Sequence, residues 1–399
     1  MILTKLISKI FLLFMASAFG VCSGMAEISD FDLWQIKRHH NDEINKSELN
    51  LSLKILQQHF EKKEDNLFVS PFSIYFMSVL LANGATGETR KEFDNILFAQ
   101  DKDEKLQDIN KKIAKYITYV PSSVEINSSL WANNLLSDYK IFMHETFNTD
   151  VKNLPSSTKD LNEWVNDKTK GKISSVMEEK NVKEGDCYIV NTVYFNDVWA
   201  DSFDDENTHL MPFKSLDAEK VDEVYTMYKY GDGLDYFEND KMQSIRLPYK
   251  DGHSIQIFLP KENYDFRDFI KKLTVDDLRP KYNKFEGSIY LPKFEIDYAI
   301  DDMNAFFENI GVKRIFDPAK SQLNAMSDEN LFVNKIIHVA KIKVDEKGTE
   351  AAAAMVAEIE KGIAFHKIDF KFEFKADHPF IFVIDNGLFV GAYVKGSMD

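Results

Sequence analysis

Phe72–Ala82 restricts the fold of this 399-residue chain more than any other segment. Its residues are apolar almost all the way round a helix, so the helix must be covered on every side, not along one stripe. Ser70-Pro71 marks its start, with Ser as the cap and Pro in the first turn, where a missing N–H costs little. Asn83-Gly84 stops it. A helix wrapped on all sides needs a large body around it, and 44% hydrophobic residues with 32 Phe can supply one. Length alone suggests two or three domains. Yet no Pro/Gly/Ser-rich linker, low-complexity tract or internal repeat divides the chain.

Helical spacing runs over Leu51–Lys62 and predicts further helices near 87–97, 103–117, 138–147 and 159–168. The second half reads mainly as strands: Cys187–Phe195, Gln243–Pro248, Ser254–Leu259, Ser288–Phe294, Lys335–Val344, Asp369–Phe374, Phe380–Ile384 and Leu388–Val394. Helices at 265–273 and 300–310 interrupt them. Early helices and late strands point to an α+β fold. In Lys335–Val344, Ile336, His338, Ala340, Ile342 and Val344 share one face. His338 therefore sits among apolar neighbours and needs a hydrogen-bond partner once buried, which reads as a structural imidazole.

Residues 1–24 read as a secretory signal: Lys5 and Lys9, an apolar run from Ile10 to Cys22, then small residues at Cys22-Ser-Gly24, with a cut after Ala26 as the alternative. The run is too short for an ordinary membrane span, and no later one is long enough, so no membrane role is expected. Cleavage removes two lysines and no acid, taking the net charge from −16 to −18. So acidic a protein is a poor polyanion ligand, which argues against nucleic acid. Lys105, Lys111, Lys112 and Lys115 could form a sulfated-polysaccharide patch. Asp103, Glu104 and Asp108 dilute them, so a solvated face is the preferred reading and polysaccharide activation is not expected. With Cys22 removed, Cys187 stands alone and no internal disulfide can form. Asn45, Asn50 and Asn127 open glycosylation sequons, compatible with export.

No Gly-x-Ser-x-Gly elbow, Walker loop or Gly-x-Gly-x-x-Gly occurs, and His144-Glu145-Thr-Phe-Asn148 fails the zinc pattern at its last position. No catalytic residue, metal or cofactor is expected, and the chain reads as a binding or inhibitory protein, not an enzyme. The segment Glu346–Gly362 has two readings. Four successive alanines favour a helix by propensity. The same residues also alternate as a strand: Thr349, Ala351, Ala353, Met355, Ala357 and Ile359 on one face, Glu350, Ala352, Ala354, Val356, Glu358 and Glu360 on the other. A segment able to live outside a sheet and to join one is a candidate switch.

Six stretches, in order, resemble the serpin family of serine protease inhibitors across the whole mature chain. They are Asn66-Leu-Phe-Val-Ser-Pro-Phe-Ser73, Gly84-Ala-Thr-Gly-Glu-Thr89, Asn162–Ile173, Asn191-Thr-Val-Tyr-Phe-Asn-Asp-Val-Trp199, Val344–Ala354 and His378-Pro-Phe-Ile-Phe-Val383. The resemblance implies one α+β domain over residues 25–399, with three sheets, about nine helices and an exposed loop at 346–368. It also implies a mechanism. A protease cleaves the loop and forms an acyl-enzyme; the loop then inserts as a new strand of the large sheet and carries the protease to the far pole. Gly348 to Gly362 would span about 50 Å when extended, enough to cross a domain.

By position, the resemblance makes Glu346, Gly348, Thr349, Glu350, Ala351, Ala352, Ala353 and Ala354 an inhibitory hinge, since small side chains enter an opening sheet without overpacking. It makes Ser70, Ser73, Asn191 and His338 a polar cluster controlling sheet opening, and Trp199 the aromatic where insertion starts. The family's usual spacing from Glu346 puts Gly362 just before the cut. Glycine offers a protease pocket little to grip, so Lys361–Gly362, suited to a trypsin-like pocket, is the favoured bond. Phe365–His366 is the alternative, for a chymotrypsin-like enzyme. The implied partner is a serine protease held in a covalent 1:1 complex by a monomeric inhibitor. A serpin-fold carrier, chaperone or storage protein without inhibitory activity is the competing expectation.

Overall fold

The computed structural model describes residues 42–98, 105–118, 120–182, 186–217, 220–300, 303–349 and 371–396. The early helices are α1 (Asp42–Lys62), α2 (Pro71–Gly84), α3 (Gly87–Leu97), α4 (Leu106–Thr118), α5 (Ser137–Phe147) and α6 (Lys159–Lys168), with short strands β1 (Leu67–Val69), β2 (Val124–Trp131) and β3 (Asp150–Lys152) among them. Strands then dominate: β4 (Asp186–Phe195), β5 (Asp197–Val198), β6 (Thr208–Lys214), β7 (Val221–Glu238), β8 (Met242–Pro248), β9 (Ser254–Pro260), β10 (Asn283–Pro292), β11 (Phe294–Ile300), β12 (Phe332–Val344), β13 (Gly348–Thr349), β14 (Lys371–Lys375), β15 (Phe380–Ile384) and β16 (Phe389–Tyr393). Two more helices, α7 (Phe266–Lys272) and α8 (Asn304–Asn309), interrupt them.

The fully apolar helix lies where its sequence requires. Every residue of α2 except Asn83 is buried, and the Ser70 side chain caps it by accepting the Ser73 N–H at 3.1 Å. Around α2 the strands form two hydrogen-bonded networks. One has the order β3-β2-β4-β12, with β11 beyond β12 and β13-β5 at its upper end. The other runs β1-β16-β15-β9-β8-β7-β10-β14, with β6 on β7. The 18-residue β7 serves two sheets in turn: its first half pairs β6, its second half pairs β8, and β10 follows it through a bulge between Phe285 and Gly287. The second network is thus two sheets sharing one strand, which makes three sheets among the described residues.

The large sheet is covered on both faces. Its inner face packs on α2 and the main core. Its outer face carries a smaller core in which Tyr188, Val190, Ile337 and Val339 meet Leu161 and Trp164 of α6. The fully buried stretches Cys187–Val190 of β4 and Ile336–Ala340 of β12, apolar but for His338, follow from this double burial.

Several boundaries differ from the sequence expectation. The strand placed at Ser288–Phe294 is two strands, β10 and β11, broken at Lys293. The helix at 300–310 shortens to α8 because Ile300 ends β11 by pairing His338. Strands β2, β6 and β7 were not expected. In β2 polar Ser128 and Ser129 point into a buried sheet, and in β6 and β7 charged residues interrupt the apolar pattern. The signal segment, the residues 350–370 and the side chain of Asn45 lie outside the described residues. No helix among the described residues is long and apolar enough to cross a membrane.

Candidate functional site

The centre of the large sheet is a parallel pairing of β4 with β12, and His338 stands opposite Asn191 in its register. Both are fully buried. The Ser70 N–H donates to His338 Nε2 at 3.1 Å, so Nδ1 carries the proton and donates to Asn191 Oδ1 at 3.0 Å. Asn191 passes the chain on, donating from Nδ2 to Ser128 Oγ at 3.0 Å and to the Asn127 carbonyl at 3.2 Å. Burial pushes the His338 imidazole down to about 3, so it is neutral at ordinary pH. The cluster therefore ties the start of α2 to β12, β4 and β2 through uncharged hydrogen bonds. Ser73 lies beside it, buried, with its N–H on Ser70 Oγ.

Above this cluster the chain leaves β12 at Val344, reverses, and returns. Asp345 shapes the reversal: its Oδ1 accepts the Lys347 and Gly348 N–H groups at 2.9 and 3.3 Å, and its own N–H bonds the Gly348 carbonyl at 2.9 Å. Gly348 and Thr349 then form β13, antiparallel to β12 through Val344–Thr349 and antiparallel to β5 through Gly348–Val198 and Thr349–Asp197. Only glycine fits at 348. A Cβ there would lie 2.6 Å from Val198 Cα and would collide with the Asp197 carbonyl.

Trp199 and Tyr249 floor this seat. Their rings stack at 4.4 Å, the Trp199 indole N–H donates to the Asp345 carbonyl at 2.9 Å, and the Tyr249 hydroxyl bonds the Thr349 hydroxyl at 2.6 Å. Glu346 is pinned from the other side by Lys293 at 2.8 Å and by the Thr208 hydroxyl at 2.7 Å. Burial works to raise the Glu346 carboxyl, but those two partners outweigh it and hold it below the usual glutamate range.

The structure thus brings together Ser70, Ser73, Asn191 and His338 at one level of the sheet, and Trp199, Glu346, Gly348 and Thr349 at the level above. Asn50 is half-buried in α1, and Asn127 is half-buried within β2. Glu350, Ala351, Ala352, Ala353, Ala354, Lys361, Gly362, Phe365 and His366 lie outside the described residues. Sequence reasoning missed Tyr249, Lys293, Thr208 and Ser128, which sit 50 to 150 positions away from the hinge or cluster they serve. It also missed Ser123, His253 and Asp385. Ser123 Oγ lies 3.1 Å from His253 Nε2, and Asp385 bonds His253 Nδ1, the hydrogen-bond order of a hydrolytic triad. All three are buried, with exposures of 5, 0 and 7%, so a substrate has no approach to the serine.

A three-sheet α+β body with the short strand β13 turning back into the upper end of the large sheet defines a serpin-type fold. The family model described as Serpin (serine protease inhibitor) matches residues 46–395, and the chain belongs to that family. It is 30% identical to the leukocyte elastase inhibitor of Equus caballus, over 82% of this chain and 92% of that one. It is equally 30% identical to a serpin-like protein of Methanosarcina acetivorans, over 81% of this chain and 79% of that one. Among solved structures, the thermophilic serpin tengpin in its native state superposes with a TM-score of 0.77 at 25% identity, covering 89% of this chain and 95% of that chain. Membership of this family, with elastase inhibitors among the relatives, supports protease inhibition as the general function.

Proposed function

We propose that this protein is a secreted, monomeric inhibitor of serine proteases that works once, as a suicide substrate, by inserting its cleaved loop into the large sheet. The observation that carries the reading is β13. Two hinge residues already run antiparallel to β12 and to β5, in the direction a new strand would take. Below them β4 and β12 pair directly in parallel. A strand entering between these two replaces one parallel ladder with two antiparallel ones, which are slightly more stable per residue and add backbone hydrogen bonds.

Continuing the Val344–Thr349 register downward matches the loop to the groove it would fill. Ala351, Ala353, Met355 and Ala357 come opposite Ile342, Ala340, His338 and Ile336, all fully buried on the inner face. On the outer face Ala354 and Val356 come opposite Val339 and Ile337, which lie under α6. Small side chains suit a strand passing between a helix and a sheet. Glu350 and Glu358 come opposite Lys343 and Lys335, giving two opposite-charge cross-strand pairs. The alternation seen in the sequence therefore has a partner at nearly every position.

In this reading Ser70, Ser73, Asn191 and His338 hold the sheet closed until cleavage, and Trp199 floors the point where insertion begins. Residues 1–24 direct export, where glycans on Asn45, Asn50 or Asn127 become feasible. The favoured bond is Lys361–Gly362 with a trypsin-like target, and Phe365–His366 with a chymotrypsin-like target is the alternative. Incubation with trypsin, chymotrypsin and elastase tests this on denaturing gels. The expected result is a heat-stable 1:1 band with one of them and release of a C-terminal peptide beginning at Gly362. A peptide beginning at His366 moves the bond. Cleavage without any stable complex supports the carrier or storage alternative instead.

A further inference from the structure

The strand that seats the hinge, β5, itself carries a buried carboxylate. Asp197 stands directly opposite Thr349 in antiparallel register and is 5% exposed. Its Oδ1 accepts the Val198 N–H at 2.8 Å, while Oδ2 makes no hydrogen bond of good geometry among the described residues. The titratable groups facing it come from one neighbouring turn. The turn between β8 and β9 presents Asp251, His253 and the Tyr249 phenol that also holds Thr349. Behind His253 stands Asp385, bonded to its Nδ1. Burial first, then Asp251, pushes the Asp197 carboxyl up to about 7, against the opposing pull of His253 and backbone N–H groups.

We propose that Asp197 is a proton-operated latch on the hinge: the neutral carboxyl accepts Gly348–Thr349 as a seated strand, and the carboxylate releases it. Seating β13 along β5 takes water away from Asp197. A neutral acid tolerates that, whereas a carboxylate loses hydration without gaining a full counter-charge. Releasing the hinge returns water to the group, so the released state titrates nearer the ordinary value of 3.8. Because the seated state has the higher pKa, its advantage is complete below the released-state value. It is lost as the pH rises toward 7, and the profile is flat above. The proposal depends on the inhibitor reading only for its consequence, a hinge whose availability for insertion follows pH. Seating itself is a property of the free protein.

Hydrogen–deuterium exchange of the 345–349 segment, in the full chain without protease, tests the latch. Labelling times are scaled to the intrinsic exchange rate at each pH. The hinge-opening equilibrium is expected to rise between about tenfold and a hundredfold from roughly pH 5 to pH 7 and then level off. Asp197→Asn should abolish the rise and stay protected throughout. Asp251→Asn, which removes the neighbouring acid, should keep the rise but move it to lower pH. A flat profile in the unmodified protein overturns the proposal, as does an unchanged rise in Asp197→Asn or an unshifted one in Asp251→Asn.

Discussion

Thr349→Arg is expected to convert the protein from an inhibitor into a substrate. The Thr349 side chain is fully buried, and its hydroxyl meets the Tyr249 hydroxyl at 2.6 Å above the Trp199 ring. An arginine there must either stay outside, leaving the hinge unseated, or bury an unpaired guanidinium at a cost of several kcal/mol. In the proposed mechanism trapping is a race between insertion and hydrolysis of the acyl-enzyme, and each 1.4 kcal/mol added to the insertion barrier slows it about tenfold. The number of inhibitor molecules consumed per protease inactivated should therefore rise by roughly tenfold or more. On denaturing gels the complex band should give way to cleaved chain. The folded body should lose little stability, because the hinge can remain outside the sheet. Undiminished trapping by Thr349→Arg would show that position 349 does not enter the sheet.

His338→Ala has the second large effect, on the uncleaved protein itself. The change leaves the Ser70 N–H and Asn191 Oδ1 without their imidazole partner in a fully buried site. Each such loss costs about 1–3 kcal/mol, so the native state should be destabilised by roughly 2–6 kcal/mol in denaturant unfolding. The pH profile provides a second signature. The imidazole is held neutral, near 3, when folded but takes a proton near its ordinary value of 6.5 when unfolded. Its contribution is complete above 6.5 and is lost as the pH falls from 6.5 toward 3, by about 1.4 kcal/mol per unit. His338→Ala should lack this acid limb. A variant as stable as the parent, with the same acid limb, would remove the cluster from the account.

Much of this organisation was legible in the sequence because its periodicities are strong. The all-apolar α2, its Ser70 cap, α6 at 159–168 and β15 at 380–384 follow directly from residue pattern. His338 was legible as buried because its neighbours at two-residue spacing are apolar. For the segment after Glu346, alternation favoured a strand and propensity a helix; Gly348 and Thr349 form β13, and the alternating residues from 350 on lie outside the described residues. What stayed hidden depends on contacts far apart in the chain. Lys293 and Thr208 look like ordinary surface residues until folding brings them to Glu346. Asp197 lies next to an apolar strand in sequence, and its burial follows from long-range packing, with β13 paired to β5 and the turn that carries Asp251 and His253 alongside. Strand β7 escaped notice because two sheets with different exposed faces share it, so no single alternation persists along its length.

The most direct test of the central claim is the melting temperature before and after a single cut in the loop by a protease that is not itself trapped. If the severed hinge slides between β4 and β12 as an antiparallel strand, the nicked protein should melt roughly 10 °C or more above the intact one. An unchanged or lowered melting temperature would mean that the loop stays out after cleavage, and the insertion mechanism would not hold for this chain.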